Sequence, residues 1–362
     1  MDMYYTCIFS AMCTFASIEP GWLTQALQAR DGAVASVRSI TPEAVPFAGS
    51  TTAMARLRIA YADDGTPGPA TVIGKLRGGT EIQRQMDAAM SLFEREGRFY
   101  KCLAGALGIR TPACYAVGDG DATPLLLEDL AALRMGDQMD GLALADAEVS
   151  IDALADLHAG LWNSPSLDGQ PWLAAPASGT FAAMICQLVA SGAPALAERY
   201  RDTVPAATLD AVLGAAPDWQ RVLDRCAEGP QTLVHNDCRL DNLFFDGGDV
   251  VFIDWQIAAR SRGTQDVGNL LAGSMDSATL AANWQALVHR YHDRLQANGI
   301  TGYSLDECLH HYRQSVVFPL GGGIALLGAM DTGDGRGLGD VIVRRCLTHI
   351  ADVDAFAAIT ER

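Results

Sequence analysis

Residues 233–256 read LVHNDCRLDNLFFDGGDVVFIDWQ, a stretch that crowds five Asp (237, 241, 246, 249 and 254), two Asn and one His into or beside two short apolar runs. Core strands disfavour carboxylates, because burying an unpaired charge is costly or forces its neutralisation. Something must compensate these acids. LFF, DGGD and VVFID together form a hairpin signal, two apolar runs joined by a Gly-containing loop. A loop of Gly247, Gly248 and Asp249 sets residue 246 opposite 250 and carries Asn242 opposite Asp254. Directly opposed residues lie about 4.5–5.5 Å apart on one face, where two side-chain oxygens can share a cation. Mg2+ takes oxygen ligands, commonly one or two protein groups completed by water and substrate phosphates, so an Asn with an Asp suits it. Asp237, in the loop leading into the hairpin, could remain off the metal and accept a proton from an attacking hydroxyl. A blander reading makes Asp237 and Asp241 ordinary loop residues, His235 a satisfied core imidazole and Asp254 a strand end. Spacing alone leaves both open, and the rest of the chain decides.

The chain has 362 residues, 49% hydrophobic and 19% charged, enough for two packed lobes. A formal net charge of -17 sets it against nucleic acid and anionic lipid surfaces, whose phosphates need Lys and Arg. The nine Cys are odd in number and never spaced as CxxC, a pattern expected of reduced thiols in the cytoplasm. The apolar start, MDMYYTCIFSAMCTFAS, carries Asp2 where a signal peptide carries positive charge, so a tail over residues 1–20 is expected. No other segment is read as approaching transmembrane length. Of the 26 basic residues only Lys75 and Lys101 are Lys. A Lys inside the apolar run TVIGKL is therefore doubly unexpected, whereas Lys101 reads as a surface residue.

Periodicity divides the chain. AMARLRIAYA alternates, with Leu57, Ile59 and Tyr61 on one face and Arg56 and Arg58 on the other, and DDGTPG turns the chain before ATVIGKL. An antiparallel hairpin is expected, preceded by a strand over residues 38–47. Residues 83–106 show helical spacing with no breaker until Gly97, and PLLLEDL reads as a short buried strand. From Ser150 onward helical spacing dominates, as in Ile151, Leu154, Leu157 and Leu161. The expected organisation is a small β-rich lobe over residues 21–127 and a large helical lobe over 128–362.

HNDCRLDN followed by FIDWQ resembles the HxDxxxxN and D-aromatic pair of the aminoglycoside phosphotransferase and choline kinase-like family, relatives of the protein kinases. Lys75 in VIGKL sits where that family's strand lysine binds the α and β phosphates, and Glu96 in REGRFY matches the helix glutamate paired with it. LLLEDL is similar to the hinge, where the Glu128 C=O and Leu130 N–H would hold adenine. LADLHAGLW and DVGNLL are similar to large-lobe segments, so the likeness covers roughly residues 47–271 in order and spacing. HND followed by an FY helix leans toward the ecdysteroid kinase-like or hydroxyacyl branch.

The resemblance implies a two-lobe protein-kinase-like α+β fold, with a small antiparallel β lobe, a larger mainly helical lobe, and ATP and Mg2+ in the cleft between them. It implies a phosphotransferase acting on a small-molecule hydroxyl. Asp237 is then the base, Asn242 and Asp254 hold Mg2+, Lys75 with Glu96 orients the phosphates, and Arg239 falls where many protein kinases keep a phosphate-contacting Lys. Gly49 and Ser50 stand where a loop would cover the nucleotide, although GSTTAM offers only one flexible residue. Residue 236 is Asn where the family usually has Gly, and DWQ replaces the DFG of protein kinases. The alternative is a nucleotide-binding module without transfer, in which the thin loop and Asn236 mark decay. Acceptor specificity is expected in residues 181–225 and 310–334.

Other signals are set aside. GPATVIGKL separates its glycines by five residues where a Walker loop needs four, and Leu76 replaces Ser or Thr. GGGIALLG puts Leu326 at the third glycine of a dinucleotide fingerprint, so tight helix packing is expected there. His289, His292, His310 and His311 lack the spacing of a zinc helix and read as solvated helix faces.

Overall fold

The computed structural model describes residues 12–45, 51–173, 175–330 and 337–361. Gly49, Ser50 and the first eleven residues lie outside the described residues. The chain divides into two compact units, Met1–Ala106 with Thr111–Leu133, and Leu107–Arg110 with Arg134–Arg362.

In the first unit helical residues 12–16 precede helix α1 (Pro20–Asp31), and a five-stranded sheet follows in the order β1-β2-β3-β5-β4. Its strands are β1 (Val37–Ala44), β2 (Thr52–Tyr61), β3 (Thr71–Arg77), β4 (Cys114–Val117) and β5 (Leu125–Glu128), and every pairing is antiparallel. The period-2 pattern read from residues 53–62 buries Ala55, Leu57 and Ile59 and turns Arg58 to solvent. Leu23 and Leu27 of α1, four residues apart on one helix face, join Phe15, Leu57, Val72, Leu76 and Leu126 in one core. Phe15 packs so closely on β3 that a Cβ at Gly74 would lie 2.8 Å from its ring.

The helix expected over residues 83–106 is two: α2 (Glu81–Met90) and α3 (Leu92–Cys102). The break is at Ser91, in a left-handed conformation with φ 52°, not at Gly97. Gly97 lies inside α3 because it is needed for packing; a Cβ there would come within 2.7 Å of Val117 Cγ1. A capping box between Thr80 and Gln83 starts α2.

The second unit is mainly helical. Strand β6 (Arg134–Met135) is followed by α4 (Leu144–Gly160), α5 (Gly179–Tyr200), α6 (Ala206–Ala215) and α7 (Trp219–Ala227). Next come β7 (Thr232–Val234), β8 (Leu243–Asp246), β9 (Asp249–Phe252) and β10 (Ala259–Ser261). The chain closes with α8 (Thr264–Ser274), α9 (Ser277–Ala297), α10 (Leu305–Ser315), α11 (Phe318–Met330), α12 (Leu338–Asp352) and α13 (Ala355–Thr360). β6, β8 and β9 form one small sheet, and β7 pairs with β10. α5 corrects the expectation that no further segment approaches transmembrane length, since its 22 residues are long and apolar enough to cross a membrane. It is packed on α11, with Ala182, Ile185, Val189, Ala193 and Leu196 buried at helical spacing. Glycines permit that packing: a Cβ at Gly321 would lie 2.8 Å from Ile185 Cγ2, and one at Gly323 2.7 Å from Val343 Cγ2 of α12.

Two polar groups in this helical core differ from expectation. His292 is buried with Nε2 2.9 Å from the Tyr303 carbonyl oxygen, and His311 stacks on Tyr303, so neither lies on a solvated face; His289 does. Burial, with the Arg262 charge, lowers the His311 pKa to about 3. Arg262 itself is 1% exposed, and among the described residues no carboxylate pairs with it. Its guanidinium donates to the carbonyls of Glu228, the C-cap of α7, and His311, in the last turns of α10, and to Gln314 Oε1 and Ser315 Oγ. Helix C-termini carry partial negative charge, so the cation is offset by two helix ends.

Candidate active site

In the first unit the unexpected lysine of β3 is buried, 3% exposed, with its Nζ 2.8 and 2.6 Å from the two carboxylate oxygens of Glu96, which is fully buried on α3. Desolvating two charges offsets most of their attraction, so such a pair contributes little to stability, but removing one partner leaves the other charge stranded. β3 grips α3 a second time. Arg77 pairs with Asp87, and the other Asp87 oxygen accepts from the Phe93 N–H at 2.8 Å, at the first turn of α3. A carboxylate there satisfies an orphan helix donor and complements the helix dipole. Lys75 and Arg77 thus fix Glu96 and the helix start from one strand. Sequence reasoning missed this second clasp, although an Asp shortly before an apolar helix start is a capping signal.

The hinge candidates lie at and just after the end of β5. Glu128 donates its N–H to the Ala113 carbonyl at 2.8 Å, its carboxylate accepts from the Ala113 N–H at 3.1 Å, and Leu130 is buried. Between them Asp129 takes a bidentate bond from Arg56 at 2.6 and 3.2 Å. Burial raises the Asp129 pKa, but the Arg56, Thr71 and Ala131 donors outweigh it and hold the carboxyl below its ordinary value.

In the second unit the loop of residues 235–242 is held by buried bonds. Asp266, in the first turn of α8, accepts from the backbone N–H groups of His235 at 2.6 Å and Asn236 at 2.8 Å, and lies 3.3 Å from His158 Nε2. Burial raises its pKa, yet the His158, His235 and Asn236 contacts outweigh that and lower it overall. His235 Nε2 faces the Ile253 carbonyl at 2.8 Å and Nδ1 faces the Asp237 N–H at 3.2 Å, partners that only the neutral Nε2–H tautomer satisfies together. Asn236 has φ 72°, a left-handed conformation that glycine adopts freely and Asn tolerates better than most residues. Its side chain donates to the Ile257 carbonyl and accepts from Gln265, so the departure from the family's Gly is accommodated. Burial and the nearby Asp266 and Asp237 charges push the Cys238 thiol far up, leaving it inert.

This scaffold presents two carboxylates, those of Asp237 and Asp241, to one cation. Arg239 Nε lies 3.4 Å from Asp237 Oδ2 and Nη1 lies 3.3 Å from Asp241 Oδ2. The Asp237 charge, opposed by burial and joined by Asp241 and Asp254, raises the Arg239 pKa above its ordinary value. Asn242 donates Nδ2 to both the Asp237 carbonyl and its Oδ2, each at 2.9 Å, which turns its Oδ1 acceptor the other way. Asp254 has φ 67° and takes a 3.2 Å bond from Gln256 Nε2.

The hairpin register differs from expectation by one residue. The loop is the two residues Gly247 and Gly248, Asp246 pairs with Asp249, and Leu243 pairs with Phe252. Asn242 therefore stands opposite Ile253, whose N–H donates to its carbonyl at 3.0 Å, and Asp254 is not its cross-strand partner. Both leave the ladder instead, Asn242 through the 3-10 turn Leu240–Asn242 and Asp254 through its left-handed backbone. A two-residue loop with φ 61° at Gly247 is the tighter solution for a twisted hairpin.

The donor set fits a hard cation. Asp254 supplies carboxylate oxygen and Asn242 a carbonyl oxygen, the groups Mg2+ prefers. Among the described residues no cluster of three or more His, Cys, Asp or Glu could hold a metal.

The same architecture occurs in kinase-like phosphotransferases. Choline kinase from Cryptosporidium parvum superposes with a TM-score of 0.52 at 11% identity, over 87% of this chain and 89% of its own. The phosphotransferase APH(2")-IIIa, solved with GDP and kanamycin, gives 0.50 at 13% identity, over 92% of this chain and 98% of its own. The fold is therefore the kinase-like one. Residues 47–300 match the ecdysteroid kinase-like family, well over half of the chain, and the chain belongs to that family. No curated protein sequence matches it.

Proposed function

We propose that the chain transfers the γ-phosphoryl group of ATP, with Mg2+, to a hydroxyl of a small molecule. The observation that carries this reading is the pairing of Arg239 with Asp237 and Asp241, with Asn242 bonded to Asp237, on a loop whose backbone is fixed by buried bonds. Asp237 accepts the hydroxyl proton as the oxygen attacks the γ-phosphorus; the bond to the bridging oxygen breaks, ADP departs, and the proton passes from Asp237 to solvent. Phosphoryl transfer asks the protein mainly for positioning and charge neutralisation. Asn242 and Asp254 would hold Mg2+, which supplies charge neutralisation on the phosphates when bound. Lys75, its ammonium oriented by Glu96, meets the α and β phosphates, while Arg239 orients Asp237 and meets phosphate. The Glu128 carbonyl and Leu130 N–H hold adenine.

Acceptor selection belongs to residues 181–225 and 310–334. The acidic chain suits a cationic aminoglycoside or amino alcohol, while the apolar helices α5 and α11 suit a sterol, macrolide or hydroxyacyl thioester. The described cysteines are free thiols, which supports a reducing, cytoplasmic setting. Asn236, bonded in its left-handed position, gives no support to decay into a non-catalytic nucleotide-binding module. The test is ADP release from Mg·ATP, and from Mg·GTP as GDP, against a panel of those acceptors, with Asp237→Asn as control. Acceptor-dependent release abolished in Asp237→Asn is expected. Tight Mg·ATP binding with no acceptor raising release above the Asp237→Asn level would replace the transferase by the binding module.

A further inference from the structure

α8 holds the loop of residues 235–242 from both of its own ends. Its first turn carries Asp266, which takes the His235 and Asn236 N–H groups, and Asn269, one turn on, donates to the Asn236 carbonyl at 3.3 Å. Its last turn reaches the other end of the loop through Gln138, a residue of the β6–α4 connection that is 1% exposed. Gln138 Nε2 donates to the Gly273 carbonyl at 2.6 Å, while its Oε1 accepts from the Leu240 N–H at 2.7 Å and from Ser274 Oγ at 3.2 Å. Its backbone is used as fully: the N–H donates to Asp241 Oδ1 at 2.9 Å, and the carbonyl accepts from Arg345 Nη1 of α12 at 2.7 Å. Every polar group of this residue is engaged. An eleven-residue helix spans about 16 Å, so α8 with Gln138 acts as a rigid gauge across the loop.

What Gln138 fixes is chemical. Asp241 gives one oxygen to Gln138 and the other to Arg239, and Arg239 in turn faces Asp237. The turn that Gln138 anchors at Leu240 ends at Asn242, whose Nδ2 also holds Asp237. We propose that Gln138 is a positioning residue for phosphotransfer, setting the Asp237 carboxylate through Leu240, Asp241 and Arg239. This rests on the phosphotransfer reading above. A misplacement of about 1 Å at a reacting group costs on the order of a hundredfold in rate.

The test uses the full chain as wild type, Gln138→Met, Asp241→Asn, the double variant and Asp237→Asn. ADP release from Mg·ATP is followed with water and with each acceptor of the panel. Gln138→Met is expected to lower kcat by 10- to 100-fold, to leave KM for Mg·ATP within threefold, and to speed exchange of the Leu240 amide at least tenfold. Asp241→Asn keeps the acceptor for Gln138 while removing the charge facing Arg239. It is expected to lower kcat about tenfold at unchanged KM, and the double variant to fall no further than the worse single one. Where Gln138→Met does not accumulate as folded protein, Asp241→Asn carries the decision. An unchanged kcat in folded Gln138→Met or Asp241→Asn, or losses that multiply in the double variant, overturns the role. ADP release that is equal in wild type and Asp237→Asn removes the phosphotransfer reading and the role with it, whereas loss in Asp237→Asn alone removes only the role.

Discussion

Acid should destabilise this protein through His349. The residue is fully buried on α12, its Nε2 2.8 Å from the Tyr312 hydroxyl and its ring edge-on to Trp284. Nδ1 has no hydrogen-bond partner among the described residues, and an Asp352 oxygen stands 4.0 Å away. Burial lowers its pKa from 6.5 to about 4. In the unfolded chain the imidazole regains its ordinary value, so between pH 6.5 and 4 unfolding takes up a proton that the folded protein refuses. The stability is complete above pH 6.5 and is lost at about 1.4 kcal/mol per pH unit as pH falls toward the folded value. From pH 6.5 to 5 the loss is about 2 kcal/mol, a large share of the ~5–15 kcal/mol typical of a folded protein. Urea unfolding at pH 5, 6, 7 and 8 measures it, with His349→Gln as comparison. The gap between wild type and His349→Gln should be widest at pH 7–8 and close by about 2 kcal/mol at pH 5. His311 adds a loss of the same sign in both proteins and cancels in the difference. A gap that stays constant from pH 8 to 5 refutes the reasoning, because it means that His349 is protonated in the folded protein at its ordinary pKa.

Lys75→Met strands the fully buried Glu96 and should cost about 3–5 kcal/mol in denaturant unfolding, whereas Lys75→Met with Glu96→Leu should recover most of it; equal losses would contradict a buried pair. Asn236→Ala removes the Ile257 and Gln265 bonds and puts Ala at φ 72°, so a loss of about 2 kcal/mol is expected, with Asn236→Gly costing less than Asn236→Ala. Gly321→Ala forces a methyl to within 2.8 Å of Ile185 and should cost about 1–3 kcal/mol in thermal unfolding; an unchanged Tm would mean that α5 and α11 part easily.

The strands of the first unit were legible because alternation and turn residues act locally, as Leu57, Ile59 and the DDGTPG turn show. Lys75 was legible through composition, since an Arg-rich chain rarely places Lys in an apolar strand. The register of β8 and β9 was not, because GG and GGD are both competent loops and sheet twist, a property of the whole hairpin, selects the shorter. Ser91 gave no warning of a break, since any polar residue can take a left-handed position when the flanking helix is capped from elsewhere, as Asp87 does for α3. His292 was misplaced because helical spacing locates a face, not what covers it, and Tyr303 covers this one. Gln138 carries no local signal at all: its partners lie 102 to 207 residues further along the chain.

Arg262 has a consequence for how the helical unit meets changing conditions. A buried Arg paired with Glu is dismantled by acid, because the carboxylate is the member that titrates. Arg262 leans instead on peptide carbonyls, an amide and a hydroxyl, none of which gains a proton in water, and its own guanidinium does not lose one. Salt reaches it poorly as well, since mobile ions screen exposed charges and this one is sealed. The hydrogen bonds that Arg262 makes at the junction of α7, α10 and the segment before α8 thus contain no partner that titrates, and acid reaches the junction only through the neighbouring His311 ring. Arg262 is a fixed rivet in a protein whose other charged contacts, such as the half-exposed Arg290–Asp152 and Arg294–Asp156 pairs between α4 and α9, yield to acid or salt.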